Sequence, residues 1–275
     1  MCRMSILAAT ALMLSAAQPA IAKEREKPGA DKAQSNVTAP AQAPRRRATP
    51  EERAIAQRAD PLARAAFWAR EADVDPRDAE SGVNLAQAMR SLGKYEEAAA
   101  AAERVLLTAP NNVEALLEVA RAHISRGQGF YAVAPAERAQ SLAPRDWRAG
   151  SLLAVALEQA SRDDEALAAH RRALSLAPEE PSVLANFGMF QAGHGQADEA
   201  ERLLRLAASK PGATAKIRQN LALVLGLQGK LAEAERLARR DLPPEVVANN
   251  LAYLRAVSGA AVAAPRSWDA MRAHP

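Results

Sequence analysis

From residue 79 onward the apolar positions recur with a helical period. Leu85, Ala86 and Met89 fall on one stripe of a helix over residues 79–92. Gly93-Lys94 then breaks the run, and Tyr95 to Thr108 carries a second helix that Pro110 ends. The pattern returns along the chain. Prolines stand at Pro76, Pro110, Pro144 and Pro178, thirty-four residues apart, and Pro211 follows after thirty-three. A second column runs Gly93, Gly127, Ser161, Gly195, Gly229, and a third runs Ala98, Ala132, Ala166, Ala200, Ala234, both at the interval of thirty-four. Three columns with one period over five copies define an internal repeat.

Each copy reads as a helix, a tight turn and a second helix. The turn column is rich in glycine because a chain that leaves a helix through a positive φ strains any residue with a Cβ. The alanine column marks a close helix crossing, where a larger side chain would push the helices apart. Two departures carry expectations. Ser161 stands where the turn wants glycine, and Pro135 falls inside the second helix of the copy that begins with Gly127-Gln128-Gly129, so a kink or a late helix start is expected there.

The ends of the array need caps. Asp60-Pro61 with Leu62, Ala66, Phe67 and Ala69 reads as a preceding half-repeat that ends at Pro76, with Asp60 as N-cap and Pro61 as first helical residue. A closing helix is predicted from Glu245 to about Val257, after Pro243-Pro244, covering the last stripe with Val246, Val247, Leu251 and Leu254. A repeat of this length, with small residues at Ala86 and Ala98 and a terminal proline, resembles the tetratricopeptide repeat over about residues 77–244. That resemblance implies an all-α fold, a right-handed superhelical solenoid. The chain departs from the family's bulky early position, which holds Gly82, Leu116, Gly150, Leu184 and Arg218.

Composition agrees with a helical array, since alanine and leucine dominate and aromatics make up 4% of 275 residues. The first residues differ in kind. Arg3, the apolar run Ile6–Ala17 and Ala20-Ile21-Ala22 have the layout of a secretory signal peptide over residues 1–22, with a run too short to span a bilayer. The only cysteine, Cys2, would leave with it, and it precedes the apolar run, whereas a lipid-bearing cysteine follows one. Residues 23–58 read as a disordered linker rich in proline, alanine and charge. The array with its caps covers residues 59–257 and a flexible tail 258–275, in which Trp268 could dock elsewhere.

Charge sharpens this division. The net charge is +4, and Lys23, Arg25, Lys27, Lys32, Arg45, Arg46 and Arg47 outnumber Glu24, Glu26 and Asp31 by four, so the predicted array is about neutral. Such an array does not recommend itself to nucleic acid. The run Arg45-Arg46-Arg47 either touches an anionic surface such as phospholipid or peptidoglycan, or is simply solvated.

Candidate chemistry is sparse. Gly226-Leu227-Gln228-Gly229-Lys230 has two residues between its glycines and Leu231 after the lysine. A phosphate-binding P-loop needs four residues there and a serine or threonine after the lysine. His123 and His170 occupy packing registers, His194 a turn and His274 the tail, with no metal-ligand spacing. Asp163-Asp164 and Glu96-Glu97 begin second helices, where carboxylates complement the helix dipole. The sequence therefore predicts no catalytic, cofactor or metal site, and no enzyme.

What remains is a surface. First helices line the concave wall of such an array, and between their packing stripes fall Asn84, Gln87 and Arg90, then Glu118 and Arg121, then Arg148 and Ser151, then Asn186 and Met189, then Lys216, Gln219 and Asn220. The candidate partner-binding set is Asn84, Gln87, Arg121, Arg148, Asn186, Met189, Lys216, Gln219 and Asn220. Asn84, Asn186 and Asn220 share a register, and an asparagine can bond both N–H and C=O of a peptide. The same row could instead tie the inner helix face together. Glu118 and Leu152 interrupt the basic set that a carboxylate clamp for chaperone tails needs.

Residues 218–255 carry a closer likeness. Arg218-Gln219-Asn220-Leu221-Ala222-Leu223, Ala234-Glu235, Asp241-Leu242-Pro243-Pro244 and the segment Asn250 to Leu254 resemble the C-terminal part of the tetratricopeptide proteins of the tight-adherence (Flp-type) pilus system, the TadD family. The resemblance implies a non-catalytic exported adaptor that assists pilus or secretin assembly, with envelope proteins as partners, no integral membrane span, and a periplasmic place free of or at the outer membrane. A generic periplasmic scaffold for another envelope or secretion complex is the alternative.

Overall fold

A computed structural model describes residues 46–263, with side chains described as far as Val257. The predicted signal peptide, most of the linker, and Trp268 and His274 lie outside the described residues. Among the described residues are thirteen helices and no strand. The first helices of the five copies are α3 (Ala79–Ser91), α5 (Val113–Ser125), α7 (Trp147–Gln159), α9 (Pro181–Gly193) and α11 (Ala215–Leu227). The second helices are α4 (Tyr95–Thr108), α6 (Gly129–Leu142), α8 (Asp163–Leu176), α10 (Ala197–Ser209) and α12 (Leu231–Ala238). Every start lies thirty-four residues after its predecessor of the same kind, so the periodicity read from the sequence is the periodicity of the solenoid. Pro135 neither delays nor breaks α6, which begins at Gly129 in register with the others and continues past the proline.

The two ends of each first helix are closed by different chemistry. At its start a side chain accepts a backbone N–H: Asp78, Asn112, Asp146, Glu180 and Thr214 do so, again thirty-four apart. At its end a Schellman turn satisfies the last carbonyls. In the first copy Lys94 N–H donates to Met89 at 2.9 Å and Gly93 N–H to Arg90 at 3.0 Å, and the same pair of bonds closes all five turns. The turn residue has a positive φ in each, and at Ser161 it is 59° on a residue with a Cβ. Ser161→Gly should therefore stabilise the array by about 0.5–1 kcal/mol, read as a raised urea midpoint with an unchanged slope.

Packing makes the curvature. The alanine column is sealed, with Ala98, Ala132, Ala166 and Ala200 fully buried and Ala234 nearly so. Consecutive first helices touch one another along the array, whereas second helices make no comparable contact with each other. Second helices therefore fan outward and first helices form the inner wall. The junction of α8 with α9 is filled by rings, with His170 against Phe187 and Phe190, where the registers of His170 and Phe190 hold alanine in the preceding copies.

Both ends extend beyond what the sequence reading allowed. Residues 50–57, assigned there to the disordered linker, form α1 (Pro50–Gln57), capped reciprocally by Thr49 and Glu52. With α2 (Pro61–Val74), which starts thirty-four residues before α4 and is capped by Asp60, it makes a further repeat with a shortened first helix. The sequence hid it because α1 buries only Ala56 and is held mainly by polar bonds. Arg53 contacts Glu71, Asp78 and Glu80 and lies over the fully buried Trp68 at 5.6 Å from the ring centre, while Gln57 donates to Asn84 at 2.6 Å. Burial alone would lower the Arg53 pKa, but the bonds to Asp78 and Glu80 outweigh it and hold the guanidinium charged.

At the other end α13 (Pro244–Ala263) runs past Val257. Val247, Leu251 and Leu254 are buried as expected, but Val246 faces solvent. Leu254 explains Gly226. A Cβ on Gly226 would strike three atoms of the Leu254 side chain, so this glycine, which has no counterpart in the repeat, admits the closing helix.

Candidate functional site

The inner wall carries two of the thirty-four-residue registers across its width. One runs Asn84, Glu118, Leu152, Asn186, Asn220, and the other Gln87, Arg121, Val155, Met189, Leu223. The first is polar save for Leu152, whereas the second is polar in the first two copies and apolar in the last three.

In the first half the charges are consumed. Glu118 is buried at 1% side-chain exposure and accepts from Arg90 at 2.8 Å and from Arg121 at 2.6 Å, a triad that joins α3 to α5. Arg148, at the start of α7, bonds Asp146 and reaches back to Glu114 of α5, both at 2.6 Å. The Arg148 hydrogen bond holds the Asp146 carboxyl below the usual range, against the desolvation that would raise it. Asn84 is engaged by Gln57, and Asn186 donates to Ser151 at 3.1 Å. Asn84, Arg148 and Asn186 are thus ties between neighbouring helices, and Arg121 holds the buried Glu118 of its own helix.

The second half is open. Met189 is half-buried and packs on the core, with Val155 and Leu223 half-buried in the same register on α7 and α11. Lys216 is exposed, Gln219 and Asn220 are half-buried, and none of the three bonds another described side chain or backbone group. Gln87 likewise makes no side-chain bond among the described residues. Arg218 does not belong with them, because it grips Asp241 at 2.5 and 2.7 Å and the Ala213 carbonyl, locking α11 to the loop after α12. The wall thus offers a half-exposed apolar row beside an unpaired cation and two free amides. Of this row the sequence reading placed only Met189 on the wall, because Val155 and Leu223 are apolar and pass for core positions of their helices.

No group of three histidine, cysteine, aspartate or glutamate side chains able to hold a metal occurs among the described residues, and none of their helices is long and apolar enough to cross a membrane. The three described histidines are engaged in packing and turns. His170 is buried and stacked on Phe187 with ring centres 5.4 Å apart, His123 is bonded to Gln128, and His194 is bonded to the Phe190 carbonyl.

Several carboxylates besides Asp146 are held low by basic partners, including Glu201 by Lys230 and Asp241 by Arg218. A carboxylate whose pKa is depressed by folding contributes its stability above the ordinary range and loses it as pH falls through the folded value. Thermal melts should accordingly show stability dropping progressively below about pH 4.

Residues 151–184 and 214–242 each match a family profile described as tetratricopeptide repeat. No curated protein matches the chain. Among solved structures, a thermophilic tetratricopeptide protein of Thermus thermophilus is 24% identical, with 67% of this chain and 98% of that one covered and a TM-score of 0.57. The pilF protein of Pseudomonas aeruginosa is 16% identical, covering 75% and 91%, with a TM-score of 0.54. A tetratricopeptide repeat protein of Parabacteroides merdae is 15% identical, covering 74% and 79%, with a TM-score of 0.60. At these identities the likeness is one of fold.

Proposed function

We propose that this tetratricopeptide-repeat protein is a non-catalytic adaptor, exported to the periplasm, that holds a segment of a pilus or secretin assembly component against the inner wall of repeats three to five. The observation that carries the reading is the apolar row Val155, Met189 and Leu223 beside Lys216, Gln219 and Asn220, whose side chains have no partner among the described residues. Apolar side chains of a guest would bury against that row, and the amides would take its backbone groups. Lys216 adds a preference for a carboxylate.

Support for a pilus machine comes from residues 218–255, which resemble the tight-adherence TadD proteins, and export rests on the layout of residues 1–22. The test is capture from the cell envelope with the full-length chain and its Met189→Glu variant. The reading expects a pilus or secretin component to be captured by the parent chain and lost from the variant, with helical content unchanged. Retention by the variant overturns the groove, and capture of components from another envelope machine overturns the pilus role in favour of a generic scaffold.

A further inference from the structure

The second helices open on acid almost throughout. Glu96 and Glu97 begin α4, Asp163 to Glu165 begin α8, and Asp198 and Glu199 begin α10. Carboxylates suit that position because the helix N-terminus carries partial positive charge. In α6 the corresponding slots hold Phe130 and Tyr131, which are 77% and 62% exposed. Gly129 sets their direction. A Cβ there would collide with Gln159 and the Ala156 carbonyl, so the first residue of α6 is pressed against the end of α7 and the next two side chains stand clear in solvent. Their rings meet edge to face at 5.5 Å, and Tyr131 lies 5.7 Å from the His123 imidazole. Neither ring belongs to a core cluster, and both stand largely in solvent where the other copies place acid.

The turn edge is net acidic, with Lys94, Arg126 and Arg162 set against Glu96, Glu97, Asp163, Asp164 and Glu165. Arg126 is turned to Glu96 at 3.7 Å and Arg162 is held by Glu165 at 2.6 Å. Glu97 and Asp164, in the repeats on either side, have no lysine or arginine partner among the described residues, and Glu103 faces only His123, at 3.8 Å. We infer that Phe130 and Tyr131 form a second docking point, on the turn edge and apart from the inner wall, for an arginine-bearing segment of a partner protein. Its guanidinium lies over the aromatic pair and its remaining cations meet the carboxylates of the two flanking repeats. A planar, weakly hydrated guanidinium suits such a seat better than an ammonium.

The full-length protein and its Phe130→Ala/Tyr131→Ala variant are titrated with three synthetic peptides, of alternating glycine with arginine, with lysine or with glutamate. The arginine peptide should bind the parent chain more tightly than the lysine peptide, the glutamate peptide should not bind, and the variant should lose about tenfold in affinity for arginine. Its thermal unfolding should be unchanged, because both side chains are exposed. Equal binding by parent and variant overturns the inference, as does failure of the arginine peptide to bind the parent. Self-association of the parent that the variant lacks also overturns it, because the patch is then a contact between copies.

Discussion

Replacing Ala200 by arginine is expected to cost about 3–5 kcal/mol and to unfold the fourth repeat first. Ala200 is fully buried within the largest core cluster, where α9 crosses α10. The crossing has no slack. Its carbonyl already stands 3.3 Å from where a Cβ on Gly188 would lie, and Leu203 and Leu204 crowd the same point. An arginine there must part the helices or leave a charge unpaired in the core. Urea denaturation gives the magnitude, and amide hydrogen exchange should show protection lost in α9 and α10 before α3 and α4. An unchanged midpoint would show that the alanine column is not the crossing.

The second large effect concerns the Arg90–Glu118–Arg121 triad, and its sign depends on which member is removed. Replacing both arginines by methionine leaves a carboxylate buried at 1% exposure with nothing to answer it, and should cost about 3 kcal/mol. Replacing Glu118 by leucine should stay within about 1 kcal/mol of the parent. The next repeat has leucine, Leu152, in that register, and the arginines, 34% and 22% exposed, can turn to water. Melting curves of the two variants separate a structural tie from a surface ion pair, for which both would change little.

The contrast between the fold and its surface was only partly legible in the sequence. Glycine and proline columns betray the repeat because turn geometry and close crossings admit few residue types, and their message is local. The bonding of Asn84, Asn186 and Arg148 is not local, since Gln57, Ser151 and Glu114 lie in other helices 27, 35 and 34 residues away. A residue type that can bind a guest can equally bind the next repeat, and only the coordinates decide between them. Lys216, Gln219 and Asn220 kept their candidacy because the neighbouring slots offer them nothing to bond. The α1 helix escaped notice for a different reason. Its hold on the array is a hub of charge around Arg53, and polar attachment leaves no hydrophobic periodicity to read.

The outward fan of the second helices gives the array a mechanical character. First helices are joined along one seam, and the outer helices pack mainly on their sequence neighbours, with α10 tied in addition to α12 by the Arg205–Glu233 ion pair. Small rotations at each seam add along the chain, so the array can tighten or relax around segments of different girth without breaking a single repeat. The α8–α9 junction, filled by His170, Phe187 and Phe190, lies midway along the apolar row, between Val155 and Met189.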